Sequence, residues 1–303
     1  MVHLNVRIPT DMTGERPSYR PRMTDDTPLA RRAHKALEPI HTLVYFVPEA
    51  GERYAAAGVT GGMRGYFASR SAPLGQVPAD VVIATFYNFA PERVAKAIPS
   101  VWETTTPERV LAARLEAVDA ALARLLGEEI DSAAMAEAAA LARDAAEVAS
   151  EPAGLVGRPL FAAHASLPWP DAAHLQLWHA ATLLREHRGD GHIAALVLAG
   201  LSGPEAAITY MAAGGSMSED LMRGTRGYSE QEWTAVKDSL RARGLLGSDN
   251  VLTADGQRLR AGIEAQTDAA ARAPYDHLGE DKTQRLIELV GPWAKSITKQ
   301  IFG

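Results

Sequence analysis

Cysteine is absent from the 303-residue sequence, so disulfide bridges, thiol nucleophiles, cysteine zinc fingers and iron–sulfur clusters are excluded. Aromatic residues make up only 6% of the chain, and alanine dominates the apolar share. Alanine is the best helix former and is poor in strands. The composition therefore predicts a mainly α protein whose helices pack closely.

Long apolar runs are also missing. The longest, residues 193–201, is far too short to cross a bilayer. The first residues contain no apolar stretch of the length that a signal peptide needs. These absences predict a cytoplasmic protein without a membrane partner. With 47% hydrophobic and 22% charged residues, the chain is globular and long enough for two domains.

Proline, glycine and charge patterns divide the chain into four segments. The first is rich in Pro, Arg, Asp and Thr and has no periodic apolar positions, as is typical of a flexible arm. Two helical segments come after it, with a Pro- and Gly-containing stretch between them. The predicted segments are a flexible N-terminal arm (1–27), an N-terminal helical domain (28–150), a linker (151–169) and a C-terminal domain (170–303).

Several helix ends have clear signals. Thr106 followed by proline predicts the start of a helix, and Gly127 predicts its end. Ser229 and Glu232 have the spacing of a capping box, which predicts the start of another helix. A long helix after Pro170 is predicted to break at the Arg-Gly-Asp-Gly sequence of residues 188–191.

The stretch LRARGLLGSDNVLTADGQRLRAGIEAQT is the most diagnostic part of the chain. A helix ends in Arg-Gly-Leu-Leu, two very short strands are predicted on either side of residues 248–250, and an amphipathic helix comes after Asp255-Gly256. This order resembles the MarR-type winged helix, in which the recognition helix ends near R-G-L and the wing closes at L-T-x-x-G. The resemblance covers residues 190–272 and predicts a winged-helix domain.

The two halves of the chain also share a weak repeat. In each, an apolar helix and a polar gap precede a capped helix, which ends in Arg-Leu-Leu-Gly at residues 124–127 and in Gly-Leu-Leu-Gly at residues 244–247. Related halves would mimic a two-fold dimer within one chain. The repeat therefore predicts two pseudo-repeated halves with a cleft between them.

A longer resemblance covers residues 30–272. The segments LVYFVPEAGERY, YFASRSAPLG, TFYNFAPERVAKAIP and LWHAATLLREHRGDGHIAALVLAGLSGPEA resemble an actinobacterial helix-turn-helix family that has no assigned reaction. The resemblance implies a helix-turn-helix fold and supplies no catalytic residues.

One candidate site is aromatic. Most of the few Phe and Tyr residues fall between positions 45 and 89, together with an arginine and an asparagine. An aromatic wall with these polar groups suits a flat or anionic organic ligand, although the same residues also suit a hydrophobic core. The residues predicted to line a ligand pocket between the halves are Tyr45, Tyr66, Arg70, Phe86 and Asn88.

A second candidate site is rich in histidine and is predicted to face the first. Neutral imidazoles bind metals and act as general bases, so this segment carries the hypothesis of an enzyme. No recognised metal-ligand spacing is present, and neither a cofactor nor a catalytic residue is assigned. A smaller set, His34, Glu38 and His41, has spacings of four and three, but Pro39 lies within it. The residues of the second candidate site are Trp178, His179, His187, Arg188 and His192.

The predicted helix-turn-helix region has cations for DNA phosphates, but it also has acids. The net charge of the chain is −6, the predicted wing has no basic residue, and several acids lie on the presumed recognition helix or beside it. Phosphate repels such acids, so DNA binding is disfavoured without being excluded, and a homodimer would gather more positive charge. The candidate DNA-contacting residues are Arg223, Arg226, Lys237 and Arg241.

Three functions therefore remain open. The first is a winged-helix-derived protein that binds a small organic ligand between its halves. The second is a MarR-like regulator whose operator binding responds to such a ligand. The third is an enzyme built on the same scaffold, with its chemistry at the histidines.

Overall fold

The computed structural model describes residues 27–215 and 217–303. Within these ranges the chain is almost wholly helical and has a single isolated β-bridge, which confirms the mainly α prediction. Apart from Thr27, the predicted flexible arm lies outside the described residues. The α-helices are α1 (Leu29–Thr42), α2 (Pro48–Ala56), α3 (Gly62–Ser71), α4 (Ala79–Thr85), α5 (Pro91–Ala95), α6 (Pro107–Leu126), α7 (Ala133–Ala149), α8 (Pro152–Leu155), α9 (Pro159–Ala165), α10 (Ala173–Leu198), α11 (Gly203–Ala212), α12 (Glu219–Arg226), α13 (Glu230–Ala242), α14 (Ala254–Ala270), α15 (Ala273–Leu278) and α16 (Glu280–Phe302).

Helix α6 shows how local sequence sets the ends of an element. The Thr106 side chain accepts a hydrogen bond from the backbone N–H of Arg109 at 3.4 Å. Gly127 comes after the last turn with a φ of +57°, a conformation that glycine adopts without strain. Between these ends, Val110 and Leu122 face inward and are buried. The predicted helix is therefore confirmed at both ends.

The larger hydrophobic core lies between α1, α6, α7 and the first part of α10. The last two helices of the chain complete it, because α16 packs along α1 and α15 packs on α7. Leu286 and Val290 of α16 are fully buried in this core. The C-terminal helices thus pack with the first half of the chain, although the sequence grouped them with residues 170–303.

Helix α10 contributes to both cores. The predicted break at residues 188–191 is wrong, because α10 continues through them without interruption. Gly191 serves packing instead: a Cβ atom there would lie 3.1 Å from the Cβ of Ala270 on α14, so its absence lets α14 approach closely. Asp190 accepts a hydrogen bond from the backbone N–H of Phe161 at 2.9 Å, which fixes α9 on the same turn. Gly191 therefore marks a helix–helix contact and not a break.

The smaller core joins the end of α10 to α11, α12, α13 and α14. It is built around residues such as Trp233, Leu240 and Ile263, all of which are buried. Helices α12 and α13 are connected through Gly227, which has a left-handed backbone with a φ of +89° and ends α12. The two helices and the turn between them have the order of a helix-turn-helix, and we call them the helix-turn-helix unit.

Helix α13 begins where the sequence predicts. The backbone N–H of Ser229 donates to the Glu232 carboxylate at 2.7 Å, and the backbone N–H of Glu232 donates to the Ser229 hydroxyl at 3.2 Å. Both halves of the predicted capping box are present, so this prediction is confirmed.

The two strands of the predicted MarR-like wing are not formed in the described residues. One antiparallel bridge joins Leu246 to Leu252, and residues 247–251 reverse the chain between them. Asn250 has a left-handed φ of +62°, and the Asp249 side chain accepts a hydrogen bond from the backbone N–H of Val251 at 3.1 Å. Helix α14 begins at Ala254, directly after this bridge, so the chain has no length left for longer strands. The winged-helix prediction is thus corrected to a helix-turn-helix unit that ends in a short turn.

None of the described helices is by itself long and apolar enough to cross a membrane, although α10 and α11 meet that criterion when taken together and lie at 99° to each other.

The repeat of the two halves stays a prediction. The capped helices α6 and α13 lead into different structures, because a 3-10 turn comes after α6 and the β-bridge comes after α13.

Candidate functional site

An ion cluster built on a buried carboxylate packs against the larger core, and its most exposed side chain is that of Arg185, at 28%. We define it as Arg70 of α3 and Arg185 and Glu186 of α10. The Glu186 carboxylate accepts hydrogen bonds from Arg70 at 3.0 Å and from Arg185 at 2.7 Å, and its side chain is only 1% exposed. Burial would raise the pKa of Glu186, but the two guanidinium groups outweigh burial and hold that pKa well below its usual value.

An aromatic wall encloses this cluster. The Arg70 guanidinium lies 4.6 Å from the centre of the Phe86 ring, and it donates a hydrogen bond to the Tyr66 hydroxyl at 2.8 Å. The Tyr45 and Tyr66 rings are 5.0 Å apart. The structure brings these four residues of the predicted pocket together, in contact with one another and, through Arg70, with Glu186; that they bind a ligand stays a prediction. The aromatic wall consists of Tyr45, Tyr66, Phe67, Phe86 and Phe89.

Further buried polar groups surround the cluster. His41 lies 3.0 Å from the Thr182 hydroxyl and 3.2 Å from the Tyr45 hydroxyl, and its backbone carbonyl accepts a hydrogen bond from Trp178 at 3.3 Å. Burial lowers the pKa of His41 well below its usual value, so the imidazole is neutral. Neither Thr182 nor Glu186 was among the residues predicted to bind a ligand. They lie four and eight residues after Trp178, and this spacing was the available signal, because it puts all three on one buried face of α10.

The other histidines of the predicted site do not converge. The His179 ring packs against Trp169, the His187 ring packs against Phe161, and the His192 imidazole lies 2.9 Å from the Thr267 hydroxyl. Burial lowers the pKa of each of these histidines to about 4. No group of three potential metal ligands occurs within residues 27–215 and 217–303. The three imidazoles are therefore neutral groups in separate environments.

Arg188 and Asp190 fix α10 to its neighbours. The Arg188 side chain donates to Asp268 of α14 at 2.7 Å, and a second ion pair joins it to Glu264 at 3.4 Å. Arg188 was predicted to line a ligand site, whereas the geometry gives it two carboxylate partners within the chain. It joins the second half of α10 to the helix-turn-helix part of the molecule.

Asp190 is expected to make stability depend on pH. Burial raises its pKa to about 6, so the folded protein binds this proton more tightly than the unfolded chain. The contribution of this group to the free energy of unfolding therefore falls as the pH rises from about 4 to about 6. Asp190→Asn keeps an acceptor for Phe161 and removes the ionisation. Above pH 6 we expect the variant to be about 3 kcal/mol more stable than the parent, since each unit of difference in pKa between the folded and unfolded states corresponds to about 1.4 kcal/mol.

Urea unfolding midpoints of both proteins between pH 4 and pH 7 at fixed ionic strength measure this effect. The buried histidines titrate in both proteins, so the difference between the two curves isolates Asp190. Curves that stay parallel through this range contradict the prediction.

Residues 86–93 form the junction with the helix-turn-helix part. A Cβ atom on Gly203, the first residue of α11, would overlap the backbone carbonyl of Tyr87. The backbone N–H of Ala90 donates to the carbonyl of Arg226 at 2.9 Å, at the end of α12. Asn88 belongs to this junction and lies against Gly203, not in the aromatic wall. We call residues 86–93 the junction segment.

Arg226 connects α12 to the aromatic wall. Its guanidinium lies 4.7 Å from the centre of the Phe89 ring, and burial lowers its pKa. This residue was predicted to contact DNA phosphates. In the structure it points back into the protein, towards the junction segment.

The other three cations predicted to contact DNA are held by carboxylates. Arg223 pairs with Asp220 at 3.3 Å, Lys237 pairs with Glu219 at 2.6 Å, and Arg241 pairs with Asp238 at 2.6 Å. The partner acids are themselves exposed, with Asp238 at 65% and Glu219 at 46%. A DNA phosphate that approaches α12 or α13 therefore meets positive charges that neighbouring carboxylates already neutralise.

Comparison with known proteins gives one match. A helix-turn-helix family model matches residues 30–302, which is nearly all of the chain. No curated protein and no solved structure matches. The match agrees with the arrangement of α12, Gly227 and α13, and it extends over both cores. This chain belongs to that helix-turn-helix family.

Proposed function

We propose that this protein is a ligand-responsive helix-turn-helix protein, in which the N-terminal half takes up a small organic molecule and the helix-turn-helix unit responds. The observation that carries the proposal is the contact between Arg226 and Phe89. Phe89 belongs to the aromatic wall, which in turn packs on Arg70 of the ion cluster. Packed cores have discrete arrangements, so a rearrangement at the ion cluster changes the surface on which α12 rests.

For the response we propose DNA binding, as in a MarR-like regulator. The described conformation is the weak-binding one, because Arg226 is withdrawn and the three other cations are paired. Non-specific DNA affinity depends mainly on how many phosphates the protein neutralises. Release of these cations from their partners then raises the affinity.

Removal of the partner acids tests whether α12 and α13 face DNA. Glu219 and Asp238 are exposed, so Glu219→Gln and Asp238→Asn together free Lys237 and Arg241 without disturbing a core. We expect the double variant to bind a random duplex at least several-fold more tightly than the parent. Each freed cation steepens the dependence of log K on log salt concentration by about 0.9. Fluorescence anisotropy with a labelled duplex at several salt concentrations measures both quantities.

The control carries the same change of net charge elsewhere. Glu137 on α7 pairs with Arg285, and Asp144 on α7 pairs with His277, far from α13 in the chain. Glu137→Gln with Asp144→Asn is expected to leave the salt dependence as in the parent protein. If the slope of log K against log salt concentration is the same for the two double variants, a DNA-binding role of α12 and α13 is contradicted.

A further inference from the structure

A surface cleft of about 250 Å³ runs between α1 and α16. It lies just below the range of about 300–1,000 Å³ that holds drug-sized ligands, so it suits a smaller molecule. Two of its aromatic side chains are unusually exposed for their type, Phe46 at 55% and Phe302 at 51%, and their rings pack edge to face. The apolar walls are Leu43, Phe46, Ile297, Ile301 and Phe302.

The inner end of the cleft is polar. Glu38 and His34, one turn apart on α1, both line it, and their closest polar atoms are 3.8 Å apart. The Oε2 atom of Glu38 is buried and has no hydrogen-bond partner among the described residues. A buried polar atom without a partner is costly, and a ligand that supplies the partner recovers that cost.

On their other side, Glu38 and His34 border a packing gap that is too narrow to hold a water molecule. Arg185 and Tyr275 border the same gap. Arg185 donates to Glu186 at 2.7 Å, so the polar end of the cleft is one side chain away from the ion cluster. Glu38 therefore separates a molecule in the cleft from the chain of contacts that ends at Arg226.

The environment of the polar end favours an uncharged ligand. Lys35 and Arg185 oppose a cation there, and the charge of Arg185 is already balanced by its ion pair with Glu186, so it offers little to an anion. Burial raises the pKa of Glu38 and lowers the pKa of His34 to about 3, so both side chains favour their neutral forms. A protonated carboxyl donates a hydrogen bond, and a neutral imidazole offers one donor and one acceptor.

We propose that the cleft between α1 and α16 is the ligand site of this protein, and that it takes an uncharged, mainly hydrocarbon molecule that carries one hydrogen-bonding oxygen. The inference rests on the proposed function and names its ligand class and its site. The hydrocarbon part lies between Phe46 and Ile301, and the oxygen meets Glu38.

Four naphthalene derivatives with one ring system test the proposal. They are 2-naphthol, which is uncharged at neutral pH, naphthalene itself, 2-naphthoate and 2-naphthylmethylammonium. Fluorescence titration of the full-length protein is expected to give an affinity for 2-naphthol that exceeds those of the other three by about tenfold, the worth of one hydrogen bond. Glu38→Leu is expected to abolish the preference for 2-naphthol over naphthalene while naphthalene still binds.

Two further variants separate a specific site from adsorption. Thr298 lines the cleft and is exposed, so Thr298→Trp fills the cleft without altering a core. This variant is expected to bind 2-naphthol at least tenfold more weakly than the parent protein. Glu280→Gln removes a carboxylate at the start of α16, outside the cleft, and is expected to bind as the parent protein does. Unchanged 2-naphthol affinity in Thr298→Trp overturns the proposal, as does tighter binding of either charged derivative or no binding of 2-naphthol.

A second experiment distinguishes the ligand site from the proposed ligand response. DNA affinity is measured by anisotropy at increasing concentrations of each of the four naphthalene compounds. A molecule that binds in the cleft and leaves the DNA affinity unchanged supports the ligand site and contradicts the proposed ligand response. Absence of binding in the cleft overturns the site, whatever DNA binding the protein has.

Discussion

Glu186→Gln is expected to lower the free energy of unfolding by about 3–5 kcal/mol, the largest effect of any single conservative change discussed for this protein. Gln has nearly the size of Glu, so packing is preserved and the loss reports on charge. Arg70, whose side chain is 7% exposed, would keep its positive charge in the core without the carboxylate that now accepts from it, whereas Arg185 is 28% exposed and partly solvated. Urea unfolding followed by circular dichroism measures the change.

A surface ion pair provides the comparison. Glu137 pairs with Arg285 at 2.7 Å, a distance like that between Arg185 and Glu186, but both partners are largely in water. Glu137→Gln is expected to leave the unfolding midpoint almost unchanged, because exposed pairs contribute little.

A double-mutant cycle gives a second readout. The two substitutions Arg70→Met and Glu186→Leu are made singly and together. The double variant is expected to lose less free energy of unfolding than the sum of the two single losses, because an apolar pair replaces a buried ion pair. If Glu186→Gln and Glu137→Gln unfold at the same urea concentration, the ion cluster does not have the buried character that the structure gives it.

Trp233→Ala is expected to destabilise the smaller core by about 3–5 kcal/mol and to unfold the helix-turn-helix part selectively. Trp233 is only 1% exposed and is the largest side chain of that core, which has far fewer residues than the other. Hydrogen exchange followed by mass spectrometry should lose protection in α11 to α14 and retain it in α6 and α7.

A tryptophan of the larger core serves as the control. Trp102 packs on that core from a partly buried position, so Trp102→Ala should leave the protection of α11 to α14 as in the parent protein. A uniform loss of protection in both cores after Trp233→Ala would instead mean that α10 makes them one cooperative unit.

Some features of the fold depend only on short stretches of sequence. Thr106 and Ser229 start helices where they were expected to, because a capping side chain acts on backbone groups only a few residues away. The gathering of Tyr45, Tyr66, Arg70 and Phe86 was also predictable from composition. The sequence did not show whether these side chains line a cavity or pack against one another, because the same residue types suit both arrangements.

Other features depend on partners that are distant in the chain. Gly191 was predicted to break the helix, but it faces Ala270 of α14. The sequence alone does not distinguish a glycine at a close helix–helix contact from a glycine at a helix break. In the continuous α10, His179 meets Trp169 and His187 meets Phe161, because different parts of the chain pack on successive turns of this helix.

The sequence by itself determined the helical class of this protein, the ends of its capped helices and the order of its helix-turn-helix unit, because helix propensity and capping are local. Only the tertiary structure decided the environment of its charges. It buried Glu186 between Arg70 and Arg185 and turned Arg226 towards Phe89. Burial and ion pairing depend on which surfaces meet when the helices pack, and the contacts of Arg70 with Glu186 and of Arg226 with Phe89 each join residues more than a hundred positions apart in the chain.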